Sequence, residues 1–328
     1  MDKIIGFTTT IPSEILFAGG YKPCDLNNIF ITDPEPMHFI EKAERDGFPK
    51  SMCNWIKGIY GVLMERDIDS VIAVMEGDCS NTQALAEILQ FKGIRVIPFS
   101  YPYDRDRGVI RREIEKLMGI CGVDYERLSS TEKGIEAVRE KLREIDRMTW
   151  EDRVVTGYEN HLWLVRSSDM LGDYGLYSRM AQGFIDEVKK RRPMDGVRIG
   201  FIGVPPIVTD LYQFLEGIGG HVVYNETQRQ FSMPFKEPHI VERYRIYTYP
   251  YGIFSRLHDI KTEIKKRGIK GIIHYVQAFC YRVMEDVILR QILDCPILTI
   301  EGELPRPLDA RLRLRLEAFV EMLRGQEQ

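Results

Sequence analysis

The sequence lacks an excess of charge of either sign. Its 328 residues carry 45 lysines and arginines against 49 aspartates and glutamates, for a formal net charge of -4. Because such a balance gives no general attraction to nucleic acid or to anionic membranes, we expect neither as a partner. No run approaches the roughly 18 apolar residues of a membrane span, and the segment MDKIIGFTTTIPSEI has no long apolar run behind a basic stretch. These absences predict a cytoplasmic protein.

Cysteine is sparse, and its spacing lacks the usual metal-binding pairs. The six cysteines are Cys24, Cys53, Cys79, Cys121, Cys280 and Cys295. They are too few for a disulfide scaffold, and a reducing compartment would leave them as thiols. The absence of a CxxC pair and of Cys/His ribbon spacing disfavours a closed structural zinc site. Any metal site must therefore be assembled from cysteines that are distant in the chain.

The chain does contain a repeated alternation of short apolar runs with helical patterns. Predicted strands lie at 3–7, 70–75, 94–100, 197–205, 221–225, 271–279 and 295–301. Predicted helices begin at Pro12 and after Asn81, and span 211–218 and 253–267. Such alternation favours helices packed on parallel sheets, and a chain of this length usually exceeds a single hydrophobic core. We therefore predict an α/β fold with two Rossmann-like lobes.

A mainly helical segment separates the two alternating halves. SSTE is typical of a capping box, with Ser129 three residues before Glu132. The apolar residues that follow recur at helical spacing, and they are Ile135, Val138, Leu142 and Ile145. The pattern predicts a helical connector that is broken near Gly172 and Gly175. The predicted domains are a first lobe at 1–128, the connector at 129–192, and a second lobe with a closing helix at 193–328.

Three cysteines occupy positions where ligands gather in parallel sheets. Cys79 and Cys280 each follow a predicted strand, and Cys53 stands at a predicted helix start. Because strand-to-helix loops converge at the carboxyl ends of the strands, we expect Cys79 and Cys280 to face each other across an interlobe cleft, with Cys53 completing a triangle. A helix amino terminus also lowers a thiol pKa, which favours the thiolate that binds metal.

The alternative is that these cysteines are small buried hydrophobic residues, as free cysteine usually is. That interpretation is preferred for Cys121 and Cys295, which lie in apolar stretches. Position alone also favours it for Cys53. For Cys79 and Cys280, position leaves both interpretations open.

Other polar residues near these cysteines are candidates for chemistry. Glu76 and Asp78 flank the Cys79 loop, where they could exchange protons with a substrate or cap the loop's own amides. His274 falls inside a predicted strand, which favours a core histidine. Arg105 and Arg107, in YDRDRG, could contact phosphate groups of a coenzyme, although a solvated charged loop is the preferred interpretation.

The order and spacing of several segments resemble a known family. They are IPSEILFAGGYKP at 11–23, the lone Cys53 before an apolar helix, DSVIAVMEGDC, RIGFIGVPP, EGIGGHVVYNE, QAFCYRVMED and LRLRLEAFVEML. In this order they are similar to the iron–sulfur subunits of the 2-hydroxyacyl-CoA dehydratases, such as the 2-hydroxyglutaryl-CoA dehydratase D-component, which are relatives of benzoyl-CoA reductase. The likeness covers nearly the whole chain.

The resemblance implies a cofactor, a reaction and partners. Carried over to this chain, Cys53, Cys79 and Cys280 would hold a 4Fe-4S cluster in the interlobe cleft and leave one iron open to a substrate oxygen. The implied activity is radical dehydration or reduction of an acyl-CoA or similar thioester. The electron would come from a separate ATP-hydrolysing iron–sulfur activator, since this chain lacks the G-x-x-x-x-G-K-[ST] loop. The family also implies a homodimer or a related second subunit.

Two other functions remain open at the level of sequence. One is a non-catalytic electron-transfer protein, which would be favoured if Cys24, in GYKPCDL, bound the fourth iron. The other is a cluster-free binding module that captures a small molecule between two hinged lobes.

Overall fold

The computed structural model describes residues 3–325 and contains two parallel β-sheets. The strands of the first sheet are β1 (Lys3–Phe7), β2 (Tyr21–Asp25), β3 (Ser70–Glu76) and β4 (Arg95–Ser100). Those of the second are β5 (Val197–Gly203), β6 (Gly220–Asn225), β7 (Gly271–Gln277) and β8 (Ile297–Gly302). The sheets share one strand order, β2-β1-β3-β4 and β6-β5-β7-β8. The prediction of an α/β fold with two parallel-sheet lobes is confirmed.

Helices flank both sheets and connect them. Those of the first half are α1 (Ser13–Ala18), α2 (Leu26–Thr32), α3 (Met37–Arg45), α4 (Asn54–Glu65), α5 (Ser80–Phe91) and α6 (Arg107–Cys121). The middle of the chain forms α7 (Tyr125–Trp150), α8 (Gly157–Val165) and α9 (Tyr174–Val188), with 3-10 turns at Arg166–Ser168 and Met170–Gly172. The second half has α10 (Leu211–Gly217), α11 (Glu226–Phe231), α12 (Ile240–Ile246), α13 (Ile253–Arg267), a 3-10 turn at Tyr281–Glu285, α14 (Asp286–Ile292) and α15 (Ala310–Gly325). None of these described helices has the length and apolar character to cross a membrane.

One strand escaped the sequence analysis. β2 contains Pro23, which cannot donate a backbone hydrogen bond. The strand lies at the edge of the first sheet and pairs only with β1, so it tolerates a proline that a central strand would exclude. Cys24 and Asp25 therefore lie on a strand that the sequence analysis did not predict.

The predicted capping box at Ser129 is wrong. Helix α7 begins one turn earlier, where the Asp124 carboxylate accepts the backbone N–H of Arg127. Aspartate caps a helix as well as serine does, and Asp124, which comes first in the chain, is the residue that caps this helix. A capping box does form at the start of α8, between Thr156 and Glu159.

The two lobes share one hydrophobic core. The segment 231–251, which follows β6, packs against the strands and helices of the first lobe, through Phe231, Ile240, Tyr244, Tyr247 and Tyr251. Tyr101 of the first lobe stacks on Tyr244 at a centroid distance of 6.4 Å, and it meets Tyr247 and Tyr251 edge-on. We call residues 231–251 the crossing segment. A second cluster contains residues of both lobes, such as Leu26 and Ile56 of the first and Tyr275 of the second, so the lobes cannot rotate apart without breaking apolar contacts.

A buried carboxylate also joins the lobes to the connector. Glu14 of α1 is fully buried and accepts hydrogen bonds from Arg139 of α7 at 3.0 Å, Arg243 of α12 at 2.9 Å and the Tyr244 hydroxyl at 2.8 Å. Burial alone would raise the pKa of Glu14, but the two guanidinium groups lower it to about 2. The carboxylate is therefore ionised and holds three parts of the chain together.

Candidate functional site

Residues at the carboxyl ends of strands in both sheets line one cavity of about 120 Å³. Thr8 follows β1, Asp25 ends β2, Val204 follows β5 and Gln277 ends β7. We call this space the interlobe cavity. Its place agrees with the rule that ligands of parallel sheets bind where the strands end.

Cys53, Cys79 and Cys280 all line the interlobe cavity. Cys53 precedes α4, Cys79 precedes α5, and Cys280 precedes the 3-10 turn Tyr281–Glu285, so that each is the N-cap residue of its element. The structure thus brings together the three cysteines that the sequence singled out. Their assignment as cluster ligands stays a prediction.

The effect of the helix ends on these thiols differs from the expectation. Burial raises the pKa of Cys53 to about 12, although the backbone N–H groups of Ile56 and Trp55 act in the opposite direction. Burial likewise raises the pKa of Cys79 and of Cys280. The loss of hydration therefore has a larger effect on the pKa of these thiols than the helix amino terminus has.

Residues 3–325 contain no preformed metal-ion site at these thiols. Within residues 3–325, no group of three or more His, Cys, Asp or Glu side chains is placed to hold one metal ion. Burial is the main cause of the raised pKa of Cys53, and the backbone N–H groups oppose it. Smaller electrostatic contributions from Cys280 and Cys79 also raise this pKa.

The two predicted acid/base residues have different environments. Asp78 lines the cavity and accepts the Cys79 backbone N–H at 2.8 Å and the Thr82 hydroxyl at 3.0 Å. Burial raises the pKa of Asp78 to about 6. Glu76 is exposed and accepts the Tyr103 backbone N–H at 2.9 Å. The structure therefore places only Asp78 on the cavity wall, where it also stabilises the Cys79 loop.

The remaining cysteines lie away from the cavity wall. Cys121 is buried at the end of α6, and Cys295 is half-buried just before β8. Cys24 lies on β2, and burial together with Asp169 and Asp25 raises its pKa to about 12. None of the three lines the interlobe cavity.

The basic loop and the strand histidine also serve the fold. Arg105 donates to the Arg245 carbonyl oxygen at 2.8 Å and to the Ser255 hydroxyl at 3.3 Å, so its guanidinium joins the lobes. Arg107 is exposed. His274 is fully buried within β7 beside Asp286, as the sequence predicted.

Two amides from opposite lobes meet beside the cysteines. Asn54, next to Cys53, and Gln277, close to Cys280, each donate a side-chain N–H to the Glu303 carbonyl oxygen at 2.8 Å. A carbonyl oxygen can only accept, so both amide nitrogens must point to it. This shared acceptor fixes α4 of the first lobe against the end of β7.

The structure adds a carboxylate pair that the sequence analysis missed. Asp25 lines the cavity, and its backbone N–H donates to the Asp169 carboxylate at 2.9 Å. Ser168 donates its hydroxyl to Asp25 at 2.6 Å. Burial and the neighbouring Asp25 raise the pKa of Asp169 to about 7. Recognition of β2 would have placed Asp25 at a strand end, whereas nothing in the sequence marks Asp169.

The pKa of Asp169 predicts a pH-dependent contribution to stability. A folded-state pKa of about 7, against an ordinary 3.8, means that the folded chain keeps a proton that the unfolded chain releases. Stability from this group is complete below pH 3.8 and is lost as the pH rises through 7, by up to about 4 kcal/mol. We expect the Asp169→Asn variant to gain stability relative to wild type between pH 5 and pH 8, measured by urea unfolding. If the difference in free energy of unfolding between the variant and wild type stays constant across these pH values, the raised pKa of Asp169 is contradicted.

A comparison with protein families gives one match over this structure. Residues 8–323 match the family described as 2-hydroxyglutaryl-CoA dehydratase, D-component. A search of curated proteins found no match. The matched range includes every described strand except β1 and all the cavity residues described above.

Proposed function

The chain belongs to the 2-hydroxyglutaryl-CoA dehydratase D-component family and is a component of the 2-hydroxyacyl-CoA dehydratase type, and we propose that it holds one 4Fe-4S cluster through Cys53, Cys79 and Cys280. We propose further that it dehydrates or reduces an acyl-CoA or similar thioester after a one-electron reduction. The observation that carries this proposal is that three cysteines, far apart in the chain, line one cavity between the sheets.

The donor set has the chemistry of an iron–sulfur site. Thiolates are the usual ligands of iron–sulfur clusters. The cavity wall offers three cysteine sulfurs. A cluster spreads its ligands over several irons, and three thiolates would leave one of four irons for a substrate oxygen. When bound, it would supply one-electron chemistry and a Lewis-acidic iron.

The chain's own residues supply a largely apolar enclosure. Ile31, Ile56, Ile59 and Val165 line the cavity together with Pro205 and Phe231. Such walls exclude water, which strengthens the polar interactions made inside. Asp78 holds the Cys79 loop through its backbone and Thr82 contacts. The protein thereby orients the reactants, while the redox chemistry belongs to the cofactor.

The family implies an acyl-CoA substrate and a partner activator in general terms. We propose that the activator is a separate ATP-hydrolysing iron–sulfur protein, because this sequence has no P-loop motif. We also propose that the working enzyme is a homodimer or a pair with a related second subunit.

Two structural observations favour this function over its alternatives. A pure electron carrier was the expectation if Cys24 capped the fourth iron, yet Cys24 does not line the interlobe cavity. A hinged binding module needs lobes that rotate, yet one hydrophobic cluster contains residues of both lobes.

The proposal is tested by anaerobic purification followed by iron and sulfide analysis. We expect about four irons and four sulfides per chain, a broad visible absorption that air bleaches, and a change in the reduced cluster's electron paramagnetic spectrum when a 2-hydroxyacyl-CoA is added. A colourless chain without iron after anaerobic purification and reconstitution would contradict the cluster. An unchanged spectrum with thioester would favour the electron carrier.

A further inference from the structure

His161 of α8 is a cavity residue to which neither the sequence nor the proposed cluster gives a role. It is buried, with 8% of its surface exposed, and it lines the interlobe cavity. Its ring stacks on Tyr212 at a centroid distance of 5.0 Å. The Nδ1 atom lies 2.9 Å from Gln228 Nε2, whereas Nε2 has no protein partner within residues 3–325. Only Nε2 is therefore free to meet a ligand.

A chain of buried hydrogen bonds decides which nitrogen carries the proton. It begins at Asp146, whose carboxylate receives two hydrogen bonds from Arg267, at 2.9 and 2.6 Å. A carboxylate paired in this way only accepts, so Asn160 must point its amide nitrogen to Asp146, at 3.2 Å. The Asn160 oxygen then accepts from the Asn225 amide nitrogen at 2.7 Å. That nitrogen also donates to the Gly157 carbonyl oxygen at 3.2 Å, which independently fixes its orientation.

The same direction of donation continues to the histidine. Because the Asn225 nitrogen faces Gly157, its oxygen accepts the Tyr212 hydroxyl hydrogen at 2.7 Å. The Tyr212 oxygen accepts in turn from the Gln228 amide nitrogen at 3.2 Å. This nitrogen is the one that faces His161 Nδ1, and it can only donate. Nδ1 therefore accepts, and a neutral His161 carries its proton on Nε2.

The ring is neutral at physiological pH. Burial, with a further contribution from Arg166, lowers the pKa of His161 to about 3. The Tyr212 hydroxyl also keeps its proton, since burial raises its pKa well above 10. A neutral imidazole held in one tautomer is a fixed N–H donor that needs no rearrangement when a ligand arrives.

We infer that His161 is a positioning residue that donates its Nε2–H to the carbonyl oxygen of the bound thioester, an inference that rests on the proposed function. A carbonyl oxygen has no hydrogen and can only accept, so it is the thioester atom that matches a donor of this kind. The hydrogen bond would hold the carbonyl in the interlobe cavity, whose walls also carry Cys53, Cys79 and Cys280. Gln228 acts through His161 by keeping the proton on Nε2.

The test uses isotope-edited infrared difference spectroscopy on anaerobically purified, unreduced protein. The probe is butyryl-CoA with carbon-13 at the thioester carbonyl, which has no hydroxyl group to lose. We expect the bound carbonyl band to lie at lower frequency than that of the free probe. In His161→Phe, the band should move back toward the free value, and the dissociation constant should rise about three- to tenfold. His161→Gln, which restores an N–H donor, should keep most of the shift.

Two further variants separate this role from general damage. His221, on β6, is another buried histidine; it lies 3.4 Å from the Val155 carbonyl oxygen and does not line the cavity. His221→Phe should leave the bound band unchanged. Gln228→Leu should reduce the shift of the band, because the proton of His161 is then no longer held on Nε2. A bound band in His161→Phe equal to that of wild type would overturn the inference and leave the proposed function intact. Failure of butyryl-CoA to bind wild-type protein would instead overturn the proposed function and the inference with it.

Discussion

Replacement of Cys79 or Cys280 by serine is expected to leave the anaerobically purified chain with almost no iron. Both residues line the interlobe cavity, and each begins an element that follows a strand, one in each sheet. A serine hydroxyl keeps the size of the side chain but is a far poorer ligand for iron than a thiolate. Loss of either ligand leaves two protein thiols, which we expect to be too few to retain a cluster. Iron and sulfide content per chain is the measurement.

Three other cysteines provide matched controls for this experiment. Cys121→Ser, Cys295→Ser and Cys24→Ala should retain the iron content of wild type, since none of these residues lines the cavity. Full iron content in the Cys79→Ser variant would refute the ligand assignment. A loss of iron in Cys24→Ala would show that Cys24 reaches the cluster, and it would restore the electron-carrier hypothesis.

Replacement of Glu14 by glutamine should cost about 3–5 kcal/mol in the free energy of unfolding. Glu14 is fully buried between Arg139 and Arg243, and the amide would leave their positive charges without a full counter-charge away from water. The depressed pKa also predicts a pH dependence. Because the folded-state pKa is about 2 against an ordinary 4.5, the contribution is complete above pH 4.5 and is lost as the pH falls toward 2.

Urea unfolding followed by circular dichroism at pH 7 and pH 3 measures both effects. The difference in free energy of unfolding between wild type and Glu14→Gln should be smaller at pH 3 than at pH 7. A surface pair serves as the control: Arg153 and Asp195 lie 3.0 Å apart, and Asp195 is 94% exposed. Asp195→Asn should change the free energy of unfolding by less than about 1 kcal/mol. An equally small effect of Glu14→Gln would mean that the buried ion pairs contribute no net stability.

Seven of the eight described strands, and the positions of Cys79 and Cys280, could be predicted because each depends on local pattern, whereas Cys53 was assigned through the family resemblance. The bounds of β1 and α13 agree with the prediction, and α13 ends at Gly268, a residue suited to the left-handed conformation that closes a helix. The positions of Cys79 and Cys280 followed from one rule, that loops at the carboxyl ends of parallel strands converge. That rule requires only that each cysteine directly follows a strand in the sequence, which the sequence itself shows.

Other features depend on contacts that no local pattern contains. Pro23 hid β2, because whether a strand lies at an edge is a property of the sheet. The raised pKa of Cys53 arises from burial, which the sequence does not state. The tautomer of His161 is set by side chains of α7, α8, α10, α11 and β6, which only the fold brings together.

The crossing segment has a consequence for how the chain is made. During translation the first-lobe strands leave the ribosome well before residues 231–251, on which their core depends. At roughly 5–20 residues per second, the first lobe must wait several seconds with apolar side chains such as Phe7 and Ile110 only partly covered. We therefore expect nascent chains that stop before residue 231 to bind chaperones, and those that extend past residue 251 to be released.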